Sequence, residues 1–477
     1  MAQRTTFLRA IGASFAAVCM VPAASLALAQ GAAPCPTLAG RNIDPALIGL
    51  PSGPARIASA TVERLPASPA APEPTVAYCK VLGEIAPVDP TAPLIRFEIN
   101  LPEQWNGKAV QYGGGGFNGV YYGGSEGGRE GITMAQRFPA DFDGIVSAVP
   151  AVNFTGLGIA GARDGVALMG EGWLSPAKVK VLHKAVLDAC DAADGLVDGI
   201  VSRYAACRAA FDPKKLGCPD HRDSENCLSD GQIAAVETIH SAYTFPFPLA
   251  NGITSYPGYN YGGEDQPGGM VAWITGPKPP VYPILSSEEQ GRLWYYGSGF
   301  VRYFIAGDPS FDPRKFRPED FRARIEHISA LMDSTDPNLS PYAARGGKLI
   351  LKENMSDHAI SPFNGINYYK SVVEKLGQAG VDSFMRFFVT PGANHGGAGV
   401  SSVDGTALPQ GVDLLDAIDG WVDRGITPGP FVQVAQESKP PFAVTASRPM
   451  CRYPQWPRYM GGPPKDAASF SCVSDSD

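Results

Sequence analysis

Apolar and polar side chains alternate from Leu94 to Leu101 (Leu-Ile-Arg-Phe-Glu-Ile-Asn-Leu), the two-residue period of a strand. Lys108 to Tyr112 predicts a second strand that runs into the glycine run Gly113-Gly114-Gly115-Gly116. From Ser125 to Phe138 the period becomes helical, and Phe142 to Val149 is again an apolar strand, closed by Pro150. This strand–helix–strand order predicts a parallel sheet in an α/β fold. The same order returns late in the chain, with a strand at Lys348 to Leu351, a helix near Asn364 to Gly377, a strand at Phe384 to Thr390 and an amphipathic helix from Val412 to Arg424. Between these halves the pattern differs. Residues 151–345 hold four cysteines, many aromatics and the Pro/Gly-rich stretch Tyr256 to Pro283, which predicts an inserted lid domain. The expected layout is a core of residues 30–150 and 346–477 with a lid of residues 151–345.

Composition narrows the classes of function. A chain of 477 residues, 44% hydrophobic, can bury a large core, and its net charge of -8 argues against nucleic acid or an anionic membrane as partner. Arg4 and Arg9 precede an apolar run from Ile11 to Leu28, and Ala27-Leu28-Ala29 offers a cleavage site, so residues 1–29 are expected to be a secretory signal. A membrane anchor is the alternative. Ser14, Pro22 and Ser25 interrupt the run, which favours cleavage and a secreted or periplasmic product without a later membrane span. Cys19 lies in that signal. The remaining cysteines are Cys35, Cys79, Cys190, Cys207, Cys218, Cys227, Cys451 and Cys472. An even count in an exported chain implies disulfides, and pairing of neighbours is the simplest arrangement, although eight cysteines allow 105 pairings. Nothing in the sequence bears on oligomeric state.

The chemistry concentrates around Gly123-Gly124-Ser125-Glu126-Gly127-Gly128-Arg129. Gly-x-Ser-x-Gly is a nucleophile elbow: a serine on a sharp strand-to-helix turn, with glycines where backbone must pack closely. A serine needs a base. Glu353-Asn354-Met355-Ser356-Asp357-His358 follows one predicted strand and Ala393-Asn394-His395-Gly396-Gly397 follows the next. The order Ser, Asp, His is that of α/β-hydrolases. His395 would take the Ser125 proton and Asp357 would orient the imidazole; His358 is the alternative base and Glu353 the alternative acid. Main-chain N–H groups of Gly115 or Gly116 and of Glu126 suit an oxyanion hole. A further cluster, Asp191, Asp194 and Asp198 among glycines, is open to two readings, an acidic turn or a site for a hard cation such as Ca²⁺.

Taken together these segments resemble the tannase/feruloyl esterase family, which includes mono(2-hydroxyethyl) terephthalate hydrolases. The resemblance rests on Gly113 to Gly119, Gly124 to Arg129, Ala135-Gln136-Arg137-Phe138-Pro139, Asp141 to Val146, Asp191 to Ile200 and Trp421-Val422. It implies an α/β-hydrolase core with a lid and hydrolysis of aromatic-acid esters through an acyl-enzyme. It also implies a structural Ca²⁺ held by Asp191, Asp194 and Asp198 with the carbonyls of Leu196 and Ile200, and four disulfides between neighbours. Two departures stand out. The family's cysteines before the serine and after the histidine are Gly124 and Gly396 here. Gly116 and Ser125 are also too close for the strand–helix–strand unit expected between them, which takes about 30 residues. The stretch Val120-Tyr121-Tyr122 looks too short to present the serine, so an internal deletion before the nucleophile is expected. Competing readings are a calcium-binding relative impaired by that deletion, and another α/β-hydrolase such as a lipase or peptidase.

Overall fold

The computed structural model describes residues 34–48, 51–65, 67, 77–103, 105–112, 119–219 and 224–475. The expected signal at 1–29 and the glycines Gly115 and Gly116 lie outside them. The chain divides into two compact units at Trp105/Asn106. The first is an antiparallel sheet of β1 (Asn42–Ile43), β2 (Ala55–Arg64), β3 (Ala77–Ile85) and β4 (Ile95–Pro102), in that order. Cys35–Cys79 staples its start to β3.

The second unit opens with β5 (Val110–Tyr112), β6 (Val120–Gly124), α1 (Glu126–Arg137) and β7 (Gly144–Ala148). There follow α2 (Phe154–Ala167), α3 (Pro176–Cys190), α4 (Tyr204–Ala210), α5 (Asp230–His240), the short pair β8 (Tyr243–Thr244) and β9 (Ser255–Tyr256), α6 (Arg292–Gly299), α7 (Arg322–Met332) and α8 (Ser340–Ala344). The sheet resumes with β10 (Lys348–Asn354), then α9 (Pro362–Leu376), α10 (Gln378–Asp382), β11 (Met385–Thr390), α11 (Leu414–Arg424), β12 (Phe431–Gln436) and β13 (Val444–Arg452). Its order is β12-β13-β11-β10-β7-β6-β5. The five strands from β5 to β11 run parallel, and β13 and β12 add antiparallel at the other edge.

Parallel strands covered on both faces read as continuous apolar runs, and their alternate residues sort into two cores. Ile145, Leu349, Leu351, Phe387 and Val389 point into one, with Ile132 of α1 and Ile366 of α9. Val146, Ile350 and Phe388 point into the other, against Leu414, Ile418 and Trp421 of α11. Each fully buried side chain of this size stabilises the sheet by about 1.5–3 kcal/mol.

Residues 151–345 belong to the same compact unit as the large sheet, and the division between units falls at Trp105/Asn106. One expectation needs revision. The stretch before Ser125 is not too short to present it. Gly123 and Gly124 continue the strand, so β6 has five residues and pairs with both β5 and β7. Glycine's poor strand propensity hides that extension in the sequence.

Candidate active site

β6 ends at Gly124, and Ser125 turns directly into α1 with φ 61° and ψ -121°. Positive φ in a residue with a Cβ costs about 1–3 kcal/mol, a strain typical of functional turns. The turn is pinned where Ser125 N–H donates to the carbonyl of Ala148, at the end of β7 (2.9 Å). Close packing explains two of the glycines. A Cβ on Gly123 would fall 2.2 Å from the Gly127 carbonyl oxygen, and one on Gly128 would fall 2.6 Å from that of Ala148. Gly124 differs, since its nearest neighbour would be 3.8 Å away, and the same distance applies at Gly396. Space does not exclude side chains at these two positions.

The other two groups arrive from the neighbouring parallel strands. Asp357 lies three residues past β10 and His395 five residues past β11, so adjacent strand ends converge on one place. His395 Nε2 is 3.0 Å from Ser125 Oγ, and His395 Nδ1 is 2.7 Å from Asp357 Oδ2. The Asp357 side chain is fully buried, and its Oδ1 accepts N–H bonds from Ala359 (2.7 Å) and Ile360 (2.9 Å). Both carboxylate oxygens are therefore committed, one to the backbone and one to the imidazole. Burial draws the His395 pKa down, but the charge of Asp357 and its hydrogen bond outweigh this and raise it above the ordinary value.

The alternatives stand elsewhere. It is His395 that bonds Ser125 and Asp357; His358 is buried, and burial keeps its pKa low. Glu353 is fully buried with neither oxygen hydrogen-bonded, and burial together with the charge of Asp357 pushes its pKa well up. Gly365 of α9 leaves room for that carboxyl, since a Cβ there would fall 1.9 Å from Glu353 Oε1. Glu126 occupies the first position of α1, where a helix leaves N–H groups without intrahelical partners. Of the aromatics in residues 151–345, Trp273 reaches the site. It sits in a wide π-helical turn, Val271–Thr275, and meets the His395 ring edge to face at 5.2 Å. Trp294 and Phe300 are buried away from solvent and Tyr295 is exposed.

The acidic loop follows α3. Asp191 accepts N–H bonds from Asp198 (3.2 Å) and Gly199 (2.9 Å), Asp194 from Leu196 (3.0 Å), and Asp198 from Ile200 (3.2 Å). Asp194 Oδ2 is buried without a hydrogen bond, and burial pushes its pKa up to about 6. Arg448 of β13 ion-pairs with Asp198, a partner that no local pattern announces. Among the described residues, no three His, Cys, Asp or Glu side chains are gathered as a metal cage. The disulfides join Cys190–Cys207, Cys218–Cys227 and Cys451–Cys472 in this unit.

Comparison with known proteins places this geometry in a family. The tannase and feruloyl esterase family model matches in two pieces, residues 79–122 and 120–473. An uncharacterized esterase of Agrobacterium fabrum is 32% identical over 536 aligned positions, covering 92% of this chain and 93% of that one. A probable feruloyl esterase B-2 of Aspergillus terreus is 31% identical, covering 75% of this chain and 66% of its own length. The mono(2-hydroxyethyl) terephthalate hydrolase of Piscinibacter sakaiensis is 32% identical, covering 76% and 65%. This chain thus spans just under two thirds of those last two relatives. The crystal structure of feruloyl esterase B from Aspergillus oryzae superposes with a TM-score of 0.71 at 22% identity, over 88% of this chain and 97% of that one, so the α/β-hydrolase-like fold is shared. The chain belongs to the tannase and feruloyl esterase family of carboxylic ester hydrolases.

Proposed function

We propose that this protein is an exported serine esterase that hydrolyses esters of aromatic acids through an acyl-enzyme on Ser125. The observation that carries this reading is the continuous line from Ser125 Oγ to His395 Nε2 (3.0 Å) and from His395 Nδ1 to Asp357 Oδ2 (2.7 Å). Ser125 Oγ attacks the ester carbonyl carbon while its proton passes to His395 Nε2. The carbonyl π electrons move onto oxygen, where the N–H of Glu126 and those of Gly115 or Gly116 would receive the charge. When the tetrahedral intermediate collapses, the C–O bond to the alcohol breaks and His395 gives its proton to the leaving oxygen. Water then repeats the sequence on the acyl-enzyme and releases the acid. Asp357 keeps Nδ1 protonated throughout, so Nε2 is free to accept. Trp273 lends an aromatic wall beside His395 that suits an aromatic acyl group. An ester panel tests the reading: methyl ferulate, methyl gallate and mono(2-hydroxyethyl) terephthalate should give higher kcat/KM than long-chain aryl esters or peptides, and the reverse order would overturn it.

An internal deletion before the nucleophile remains part of this reading. Parallel neighbours ordinarily need a crossover of a dozen or more residues, yet only residues 113–119 link β5 to the parallel β6. The family match breaks at the same place, and the alignment to the Agrobacterium esterase is longer than this whole chain. These points support a lost segment, while the assembled triad argues against the impaired reading. Resequencing the gene across codons 113–124 checks it, because a longer reading frame there would make the shortening an error of sequence assembly. Full esterase activity with a single cooperative melt would sink the view that the loss is damaging.

Two further parts complete the reading. Ca²⁺ would be held by Asp191, Asp194 and Asp198 with the carbonyls of Leu196 and Ile200, supplying a structural charge only. The support is the buried Asp194 Oδ2, which has no hydrogen-bond partner, in a loop that also carries Asp191 and Asp198. Chelation should lower Tm and added calcium should restore it; an unchanged melt would refute the site. Export is supported by four disulfides. A mature N-terminus at Gln30 would confirm cleavage, and retention of Met1 would exclude it.

A further inference from the structure

The segment from Tyr256 to Trp273 touches both loops that carry the acid and the base. On the acid side, the Tyr256 hydroxyl accepts the Ser361 N–H (3.1 Å), and the Gly258 carbonyl accepts the Ser361 hydroxyl (2.8 Å). Tyr259 donates to the Ala359 carbonyl (3.3 Å), and Asn260 Nδ2 to that of Met355 (2.9 Å). These bonds bracket Asp357 from two residues before it to four after. On the base side, the Pro267 carbonyl accepts a hydrogen bond from Asn394 Nδ2 (2.7 Å). Asn394 immediately precedes His395, and its own carbonyl is held by Asn354 Nδ2 (2.7 Å) at the end of β10. The strap ends in Trp273, against the His395 ring.

What holds the strap is a buried carboxylate that the triad does not use. Glu264 is fully buried. Its Oε1 accepts the Gly262 N–H (2.6 Å), its carbonyl accepts the Met270 N–H (3.0 Å), and its Oε2 lies 2.7 Å from Nδ1 of His183 on α3. The side chain thus ties Gly262 to a helix, while the main-chain carbonyl of the same residue closes the loop at Met270. A lone buried carboxylate is expensive, several kcal/mol after relaxation, and persists only where it is paired. Burial alone would raise the Glu264 pKa, but the bond to and charge of His183 dominate and bring it down to about 2. The carboxylate therefore stays charged across the working pH range.

We infer that Glu264 and His183 are positioning residues for the hydrolysis, fixing loop 262–270 so that Pro267 holds Asn394 and thereby sets His395 against Ser125. This rests on the reading of Ser125, His395 and Asp357 as a triad. Neither Glu264 nor His183 touches the reacting atoms. Their influence runs through one carbonyl and one amide, so it belongs in kcat rather than KM. A base displaced by about 1 Å costs roughly a hundredfold in rate.

The test is a double-mutant cycle of Glu264→Gln and Asn394→Ala on the full-length chain, with kcat and KM for methyl ferulate and Tm read for each protein. Each single variant is expected to lose about tenfold to a hundredfold in kcat with KM within about threefold, and the double variant to lose no more than the worse single one. His183→Gln keeps an N–H donor facing Glu264 and should stay within about threefold of parental kcat, whereas His183→Ala should not. Parental kcat in folded Glu264→Gln, or losses that multiply in the double variant, would overturn the proposal. Should Glu264→Gln fail to fold, Asn394→Ala decides alone, because it leaves the His183–Glu264 pair intact, and unchanged kcat there overturns it. The downfield proton NMR signal of the His395–Asp357 hydrogen bond gives a readout without chemistry. It should shift in both Glu264→Gln and Asn394→Ala, and an unmoved signal refutes the strap. A parental protein that shows the signal but hydrolyses nothing counts against the triad reading instead.

Discussion

Asp357→Asn is a sharp perturbation of the triad because the replacement has almost the same shape and reverses one hydrogen bond. Asp357 accepts three N–H bonds: two backbone donors on Oδ1 and His395 on Oδ2. An asparagine has one acceptor oxygen and one donor NH2. The two backbone N–H groups can be satisfied only by the oxygen, which turns the NH2 toward His395 Nδ1. That nitrogen must then accept, so the ring proton moves to Nε2 and faces Ser125 Oγ, 3.0 Å away. The base becomes a donor at the atom where it must accept. A wrong tautomer of this kind costs about 10⁴ in kcat, or about 5 kcal/mol of transition-state stabilisation. The assay is kcat/KM for methyl ferulate from pH 5 to 9. The parental rate should fall as pH drops through the raised His395 pKa, because only neutral imidazole accepts the serine proton. Stability runs in the opposite sense. A histidine whose folded pKa is raised contributes stability that is fully present below its unfolded value, about 6.5, and is lost as pH rises through the folded value. The Tm gap between parent and variant should therefore widen on the acid side. A variant with kcat/KM within tenfold of the parent at pH 7.5 would refute this account of Asp357.

Two further perturbations follow from local geometry. Gly123→Ala should destabilise by about 1–3 kcal/mol, since the new Cβ meets backbone that cannot yield, while Gly124→Ala should leave Tm nearly unchanged; equal melts for the two would contradict the elbow packing. Replacing Cys190 and Cys207 by serine should cost about 3 kcal/mol, as expected for a disulfide closing a loop with a separation of 17 residues. An unchanged urea midpoint would show that this bond adds nothing.

The convergence of Ser125, Asp357 and His395 as a candidate triad was legible in the sequence because each sits at the end of an element with its own period: Ser125 between strand and helix, and Asp357 and His395 just past two apolar strands. The apolar runs of β7, β10 and β11 also signalled a sheet covered on both faces. What stayed hidden depends on contacts distant in sequence. His183 and Glu264 are 81 residues apart, and Arg448 meets Asp198 across 250, so no local pattern links either pair. Trp273 was one aromatic among several until the fold set it beside His395. β6 differs for another reason: strand propensity discounts Gly123-Gly124, whereas pairing with Ser147 and Ala148 of β7 makes them strand. Helix and strand periods cannot fix unit boundaries either, since these depend on which elements share a core.

The central claim is that Ser125 is an activated nucleophile, and covalent labelling with a fluorophosphonate tests it most directly. The account predicts a single adduct on Ser125, located by peptide mass spectrometry, whose formation falls by orders of magnitude in His395→Ala. A folded protein that takes no label, or that labels equally well without His395, would contradict it.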